Sequence, residues 1–331
     1  MQRRHFLQST AATTAAALML PGLSQAQPGS PAGTWPAKPL RIIVPFTPGG
    51  TTDLVARLVG TELGKSLGQP VIVENKPGAG TVIGVDYVSK QPADGYTLVC
   101  VANSFTANKT LVKNLPYDTT RDLKPVALMG LSEHVLATHP GSGLKTLADL
   151  RSRAKVRPGE LSYASFGNGT SAHLSGALLC QEMGIEMVHI PYKGGAPALQ
   201  DLLGGRVASY FSAPPTAMPH VETGRLVPLA TTGLKRPSYL PNIPTVAESG
   251  YPGFEALNWY AFVAPGKTPA PLLDNWNREI VKVLEDPEVK AALDKHGLTP
   301  QPTTRQGLAD FIRSESDKWA QVVRERKITA N

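Results

Sequence analysis

Residues 40–53 read Leu40-Arg41-Ile42-Ile43-Val44-Pro45-Phe46-Thr47-Pro48-Gly49-Gly50-Thr51-Thr52-Asp53. The apolar run from Leu40 to Val44 has the character of a buried strand. It stops at Pro45 and Pro48. Gly49 and Gly50 then free the backbone where an amphipathic pattern begins: Leu54, Val55, Leu58, Val59, Leu63. A strand that turns through glycines into a helix leaves the first helical N–H groups unpaired, and such a helix start attracts anions. The device recurs at Pro77-Gly78-Ala79-Gly80-Thr81 and at Phe166-Gly167-Asn168-Gly169-Thr170. Three such starts point to a receptor for a small anion, a carboxylate above all.

Outward from this stretch, strands and helices alternate. Short β-rich runs stand at 40–44, 70–74, 97–102, 126–129 and 134–138, with helical periodicity over 52–67 and 81–90. The rhythm predicts an α/β fold with mostly parallel sheets covered by helices on both faces. A second set follows Pro140-Gly141-Ser142-Gly143, with strands at 161–164, 187–190, 207–212 and 226–231. Its helices begin at Thr146 and occupy 170–183 and 195–204. Residues 233–331 return to longer elements: a strand over 260–264, a helix marked by Leu273, Trp276, Ile280 and Val283, and a last helix from Leu308 to Val322. These few strands would make a poor sheet of their own, so the segment is read as completing the first lobe. The expected layout is a first lobe over 39–138, a second over 139–232, and 233–331 returning to the first. Two crossings then leave a cleft and a hinge between the lobes.

The ends and composition set the compartment. Arg3-Arg4-His5-Phe6-Leu7, a soft apolar stretch to Leu20 and Ser24-Gln25-Ala26 make residues 1–26 an expected export signal. The paired arginines fit a twin-arginine signal, although Gln2 stands where Ser or Thr is usual, and an ordinary secretory signal fits as well. Residues 27–38, rich in Pro, Gly and Ser, read as a leader. Cleavage near Ala26 lowers the net charge from +7 to +5. The basic residues are scattered without interleaved aromatics, which speaks against nucleic acid as a partner. Two cysteines, Cys100 and Cys180, fall in apolar patterns and read as buried free thiols rather than a disulfide scaffold.

Several motifs are tested and set aside. Gly78-Ala79-Gly80-Thr81-Val82-Ile83-Gly84 has its third glycine one residue late for a dinucleotide loop, and Gly60…Gly64-Lys65-Ser66 is one residue short of a P-loop. The chain has no G-x-S-x-G, H-E-x-x-H or C-x-x-C. No catalytic residue, metal ligand or cofactor is therefore expected. His173, one turn into a helix, reads either as a structural group or as a ligand contact. Tyr192-Lys193-Gly194-Gly195 reads either as a plain strand-to-helix turn or as a wall of the cleft with Tyr192 facing ligand.

The chain resembles the Bug/TctC family of extracytoplasmic solute receptors. The resemblance rests on Trp35-Pro36 with Lys38-Pro39, Val44-Pro45-Phe46, Pro48-Gly49-Gly50 with Asp53, and Glu74-Asn75-Lys76-Pro77-Gly78-Ala79-Gly80. It continues through Ala93-Asp94-Gly95-Tyr96-Thr97-Leu98, Tyr163-Ala164-Ser165 with Gly167, Gly169 and His173-Leu174, then Pro191-Tyr192-Lys193-Gly194 and Pro244-Thr245-Val246-Ala247-Glu248-Ser249-Gly250. It implies a two-lobed periplasmic-binding-protein fold, type II-like, and a carboxylate held by backbone N–H groups, hydroxyls and waters. By motif it implies a site of Phe46, Gly49, Gly50 and Thr51, with Ala79, Gly80 and Ser104 beside them. Ser165, Gly167, Gly169, Thr170 and Tyr192 would face these from the second lobe. Many relatives carry Asp after the strand that here reads Tyr210-Phe211-Ser212-Ala213, and its absence weakens the case for an amino acid ligand. The expected partners are a carboxylate and the membrane permease subunits of a tripartite tricarboxylate transporter, with the receptor itself a monomer. Presentation of the ligand to a membrane sensor and an exported hydrolase are the alternatives.

Overall fold

The computed structural model describes residues 35–237 and 239–328. The expected export signal and residues 27–34 of the leader lie outside the described residues. The described residues from Lys38 onward form one compact unit.

The unit opens with β1 (Leu40–Val44), α1 (Thr51–Leu67), β2 (Val71–Asn75), α2 (Val82–Ser89), β3 (Thr97–Val101), α3 (Ser104–Leu111) and β4 (Leu123–Ser132). Next come β5 (Val135–Thr138), α4 (Leu147–Val156), β6 (Ser162–Ser165), α5 (Ser171–Met183), β7 (Val188–Pro191), α6 (Gly195–Leu203), β8 (Ser209–Ser212), α7 (Pro214–Glu222) and β9 (Val227–Thr231). It closes with β10 (Asn258–Pro265), α8 (Ala270–Glu285), α9 (Pro287–Lys295), β11 (Thr299–Pro300) and α10 (Arg305–Glu325). The first sheet runs β11-β4-β10-β3-β1-β2 and the second β7-β6-β8-β5-β9.

β1 lies between β2 and β3, parallel to both. Leu40, Ile42, Ile43 and Val44 are all fully buried, as a strand covered on both faces requires. α1 seats Val55, Ala56, Val59 and Leu63 against this sheet. Gly60 permits the close approach: a Cβ there would come within 3.3 Å of Val71 Cγ1. Gly60 and Gly64 are thus packing residues inside a helix, as their rejection as a phosphate loop anticipated.

In the first sheet β10 runs against β3 and β4, and in the second β5 runs against β8 and β9. Both are strands that arrive from the other lobe. They enter through the edge where the parallel strands end, so they must run against them. The remaining strands keep one direction, apart from the short β11.

The sequence reading kept 134–138 with the first lobe. The structure places β5 in the second sheet, and the chain crosses at Glu133–His134. β4 is buried through most of its length and simply continues straight into β5, so local pattern carries no sign of the crossing. The return is later than expected as well. Val246 N–H bonds Thr231 O at 2.9 Å and Ala256 N–H bonds Thr232 O at 2.9 Å. Val246, Phe254 and Ala256 share the core of Leu136, Leu229 and Ala230. Residues up to 256 therefore belong with the second sheet, and the chain returns at Leu257–Asn258.

Thr232, just after β9, joins the segments beside the two crossings. His134 N–H donates to Thr232 Oγ1 at 2.8 Å and Thr232 N–H to His134 O at 3.1 Å, while Thr232 O accepts from Ala256 N–H. The Asn103 side chain, at the end of β3, clasps the return by donating to Leu257 O (2.9 Å) and accepting from Trp259 N–H (3.2 Å). On the other side, α10 carries Trp319, Val322 and Val323 into the core that α3 and α5 share. Both cysteines are buried and free.

Candidate functional site

The loops after β1, β2 and β3 and those after β6 and β7 leave the carboxyl ends of parallel strands, the usual ligand edge of an α/β sheet. They meet across the sheets. A Cβ at Gly194 would lie 3.9 Å from Thr47 Oγ1, one at Gly80 3.8 Å from Asn168 O, and one at Gly169 2.8 Å from Leu111 Cδ1. Loop 45–50 thus faces 192–195, and 78–81 with α3 faces 167–170.

In the first loop Gly50 is the N-cap of α1, with extended backbone and no side-chain cap. The N–H groups of the first turn therefore lack helix partners. Gly49, at φ +83, is different: its N–H donates to Asp53 Oδ2 at 3.0 Å. The same carboxylate accepts from Arg57 and from Asn75 Nδ2, and Asn75 also holds Phe46 O at 3.1 Å. Burial pushes the Asp53 carboxyl up, but the bonds from Arg57, Gly49 and Asn75 outweigh it and hold the group below the usual carboxylate range. Asp53 is therefore an ionised pin that fixes the turn. Of the donors expected here, Gly49 is spent on the turn, while Gly50 and Thr51 remain on the cleft side, with Phe46 half-buried beside them.

The second loop carries four successive left-handed residues: Gly78, Ala79 (φ +46), Gly80 and Thr81 (φ +79). For alanine this is uncommon, and for β-branched Thr81 it is a true outlier. Two groups hold it. Asn108 Nδ2 donates to Gly80 O at 2.7 Å, and Ser104 Oγ lies 3.0 Å from Thr81 Oγ1. Ala79 and Gly80 are exposed to the cleft, while Ser104 is buried at the start of α3.

In the third loop Thr170 is the N-cap of α5, again without a side-chain cap on the helix. Its hydroxyl instead donates to Gly167 O at 2.7 Å. Ser165 Oγ is fully buried. It lies 2.7 Å from His189 Nε2 and 3.0 Å from Gly167 O, and accepts from Gly167 N–H at 3.2 Å. Gly169 N–H donates to His173 Nδ1 at 3.1 Å. The His173 and His189 rings stack at 3.7 Å, with Tyr163 against His189 at 5.1 Å. Burial lowers His173 to about 3, helped by His189, and lowers His189 to about 4. Both rings are neutral at neutral pH. His173 thus takes its structural role: it holds the loop.

The Ser165–His189 pair has the outline of a nucleophile and base. No carboxylate among the described residues bonds to His189, and the hydroxyl is sealed from solvent. Tyr192 turns its hydroxyl to Asp201 Oδ2 at 2.7 Å, and Asp201 pairs with Arg206. Burial first, then Asp201, pushes the phenol up to about 12. The backbone of 192–195, rather than the Tyr192 hydroxyl, faces the first loop. No Arg or Lys stands in 45–52 or 164–172.

Sequence reasoning missed Asn108, because α3 (Ser-Phe-Thr-Ala-Asn-Lys-Thr-Leu) is buried nearly all round and has no amphipathic signal. It also missed Asp53 and His189 as loop pins. Asp53, four residues after Gly49, was the one legible sign.

A sequence profile of the family described as "Tripartite tricarboxylate transporter family receptor" matches residues 55–328. The chain belongs to this family. BugT of Bordetella pertussis is 41% identical over 296 residues, covering 89% of this chain and 91% of BugT. The structure of R. palustris Rpa4515 with adipate superposes with a TM-score of 0.83 at 34% identity, over 89% of this chain and 99% of that one. MatC from Rhodopseudomonas palustris with bound malate gives 0.80 at 30% identity, over 87% of this chain and 100% of that one. Solved relatives include periplasmic binding proteins, which gives the receptor family a solute-binding role and the chain its two-sheet fold.

Proposed function

We propose that the protein captures a small carboxylate between its two lobes and delivers it to the membrane permease subunits of a tripartite tricarboxylate-type transporter. It is exported, cleaved near Ala26, and acts in the periplasm as a monomer, without catalysis. One observation carries this reading. Two helix starts, α1 at Gly50 and α5 at Thr170, stand on opposing sheets, uncapped by side chains, in loops free of Arg and Lys. Uncapped N–H groups select anionic oxygens, and adipate and malate in relatives support the class. Phe46, Gly50, Thr51, Ala79 and Gly80 would line one side and Gly167, Gly169, Thr170 and the Tyr192 backbone the other, with Gly49, Ser104 and Ser165 shaping the loops. The paired crossings at 133–134 and 257–258 would act as the hinge.

The test is a thermal-shift screen of mono-, di- and tricarboxylates, with neutral sugars and cations as controls. A carboxylate at a hundred times its dissociation constant adds about 2.7 kcal/mol of stability. A shift by a sugar or cation and by no carboxylate would overturn the reading.

A further inference from the structure

A cavity of about 300 Å³ opens behind the third glycine loop. Its walls include Tyr163, His173, Ala177, Met187, His189 and Arg326, together with Asn168 of the cleft loop, and no residue of 45–51 or 79–81 lines it. It therefore abuts the cleft through that one loop, and the loop hangs from its other walls. His173 holds Gly169 N–H, and His189 holds Ser165, which in turn holds Gly167.

We propose that this cavity is a second site, for a small aromatic carboxylate, and that its occupancy acts on the glycine loop at the start of α5. Two of the polar groups on its wall are donors. His173 Nδ1 accepts from Gly169, so the neutral ring carries its proton on Nε2. Arg326 brings a guanidinium whose Nη2 donates to Ile185 O at 3.5 Å. The neighbouring carboxylate, Glu325, is engaged by Gln181 and Gln321. Apart from Asn168, the rest of the wall is flat or apolar: stacked imidazoles, the Tyr163 ring, Met187 and Ala177. Donors beside flat and apolar side chains match an aryl ring bearing one carboxylate, and the volume is at the small end for such sites. A molecule resting on either imidazole changes the orientation of a ring that fixes Gly167 or Gly169, and binding coupled in this way is reciprocal.

The test uses benzoate as the probe, on the whole mature protein, by NMR titration and calorimetry. Benzoate should shift the ring signals of His173 and His189 and the amide signals of Gly167 and Gly169. Gly50→Pro, which impairs the cleft, should leave its affinity unchanged. Arg326→Gln should weaken it at least tenfold, and Ala177→Leu, which fills the cavity, should abolish the histidine shifts. Unmoved histidine signals in the wild type would overturn the proposal. So would benzoate binding that Gly50→Pro removes and Arg326→Gln leaves intact, because that binding belongs to the cleft.

Discussion

Acidification from pH 8 to pH 5 should destabilise this protein through two buried histidines and a half-buried one. His134, His173 and His189 are lowered by burial from the ordinary 6.5 to about 4, about 3 and about 4. The sign follows from proton binding. Below pH 6.5 the unfolded chain binds a proton at each site and the folded chain does not, so stability is full above 6.5 and falls as pH drops toward the folded values. At pH 5 the difference is about 2 kcal/mol per histidine, or about 6 kcal/mol for the three, comparable with the whole stability of an ordinary domain. Few carboxylates titrate above pH 5, so this window isolates the histidines. Urea midpoints at half-unit steps of pH would measure it. His173→Asn places an acceptor oxygen where Nδ1 stands and should remove about a third of the slope while keeping the Gly169 bond. A stability flat from pH 8 to 5 would refute the reasoning, since it would mean these rings are charged or exposed in the folded state. Only near pH 3 should the loop itself loosen in the folded protein, because a protonated His173 Nδ1 cannot accept from Gly169.

Gly50 has φ −78, a torsion proline tolerates. Gly50→Pro should therefore fold, lose one N–H, and bind the carboxylate about ten- to a hundredfold more weakly by calorimetry. Asn108→Ala would leave Gly80 O without its bond and free a strained loop, at about 1–3 kcal/mol of stability in urea unfolding, with weaker ligand binding besides. Gly176→Ala would put a Cβ 2.2 Å from Tyr163 Cε2 and should lower stability by about 1–3 kcal/mol, read from the melting transition. Lys193→Met should change affinity only slightly, and an abolished affinity would mean a side-chain charge holds the ligand.

The parts of this fold legible in the sequence are those where burial has a simple period. β1 is apolar apart from Arg41, β3 is apolar after Thr97, and α8 shows a clean stripe, so their positions follow from local pattern. α3 and α7 were not legible. α3 buries Ser104, Thr106 and Asn108 along with its apolar residues, and α7 begins Pro214-Pro215 and contains Pro219. The sheet that owns β5 was illegible for another reason: membership is decided by pairing with β8 and β9, which lie far along the chain. The site divides the same way. The glycine loops and their uncapped helix starts are local and could be read. The pins are long-range: Asn108 to Gly80, His189 to Ser165, Tyr192 to Asp201. Each joins residues whose proximity only the folded chain creates.

Those pins explain how glycine loops with no Arg or Lys in 45–52 or 164–172 could hold an anion. Backbone N–H groups carry only partial charge, so they compete with water only if they are already aimed. A flexible loop would lose most of that advantage in ordering itself on binding. Here the ordering is done during folding. The left-handed run from Gly78 to Thr81 is held by Asn108 and Ser104, the first turn of α1 by the Asp53 carboxylate, and the start of α5 by two neutral imidazoles. Each pin uses a buried polar group that would be destabilising if left unpaired, which makes the loop and its support stable only together. A ligand meeting such loops needs to displace water, not to fold the site. Recognition then depends on the number and spacing of acceptor oxygens more than on the rest of the molecule.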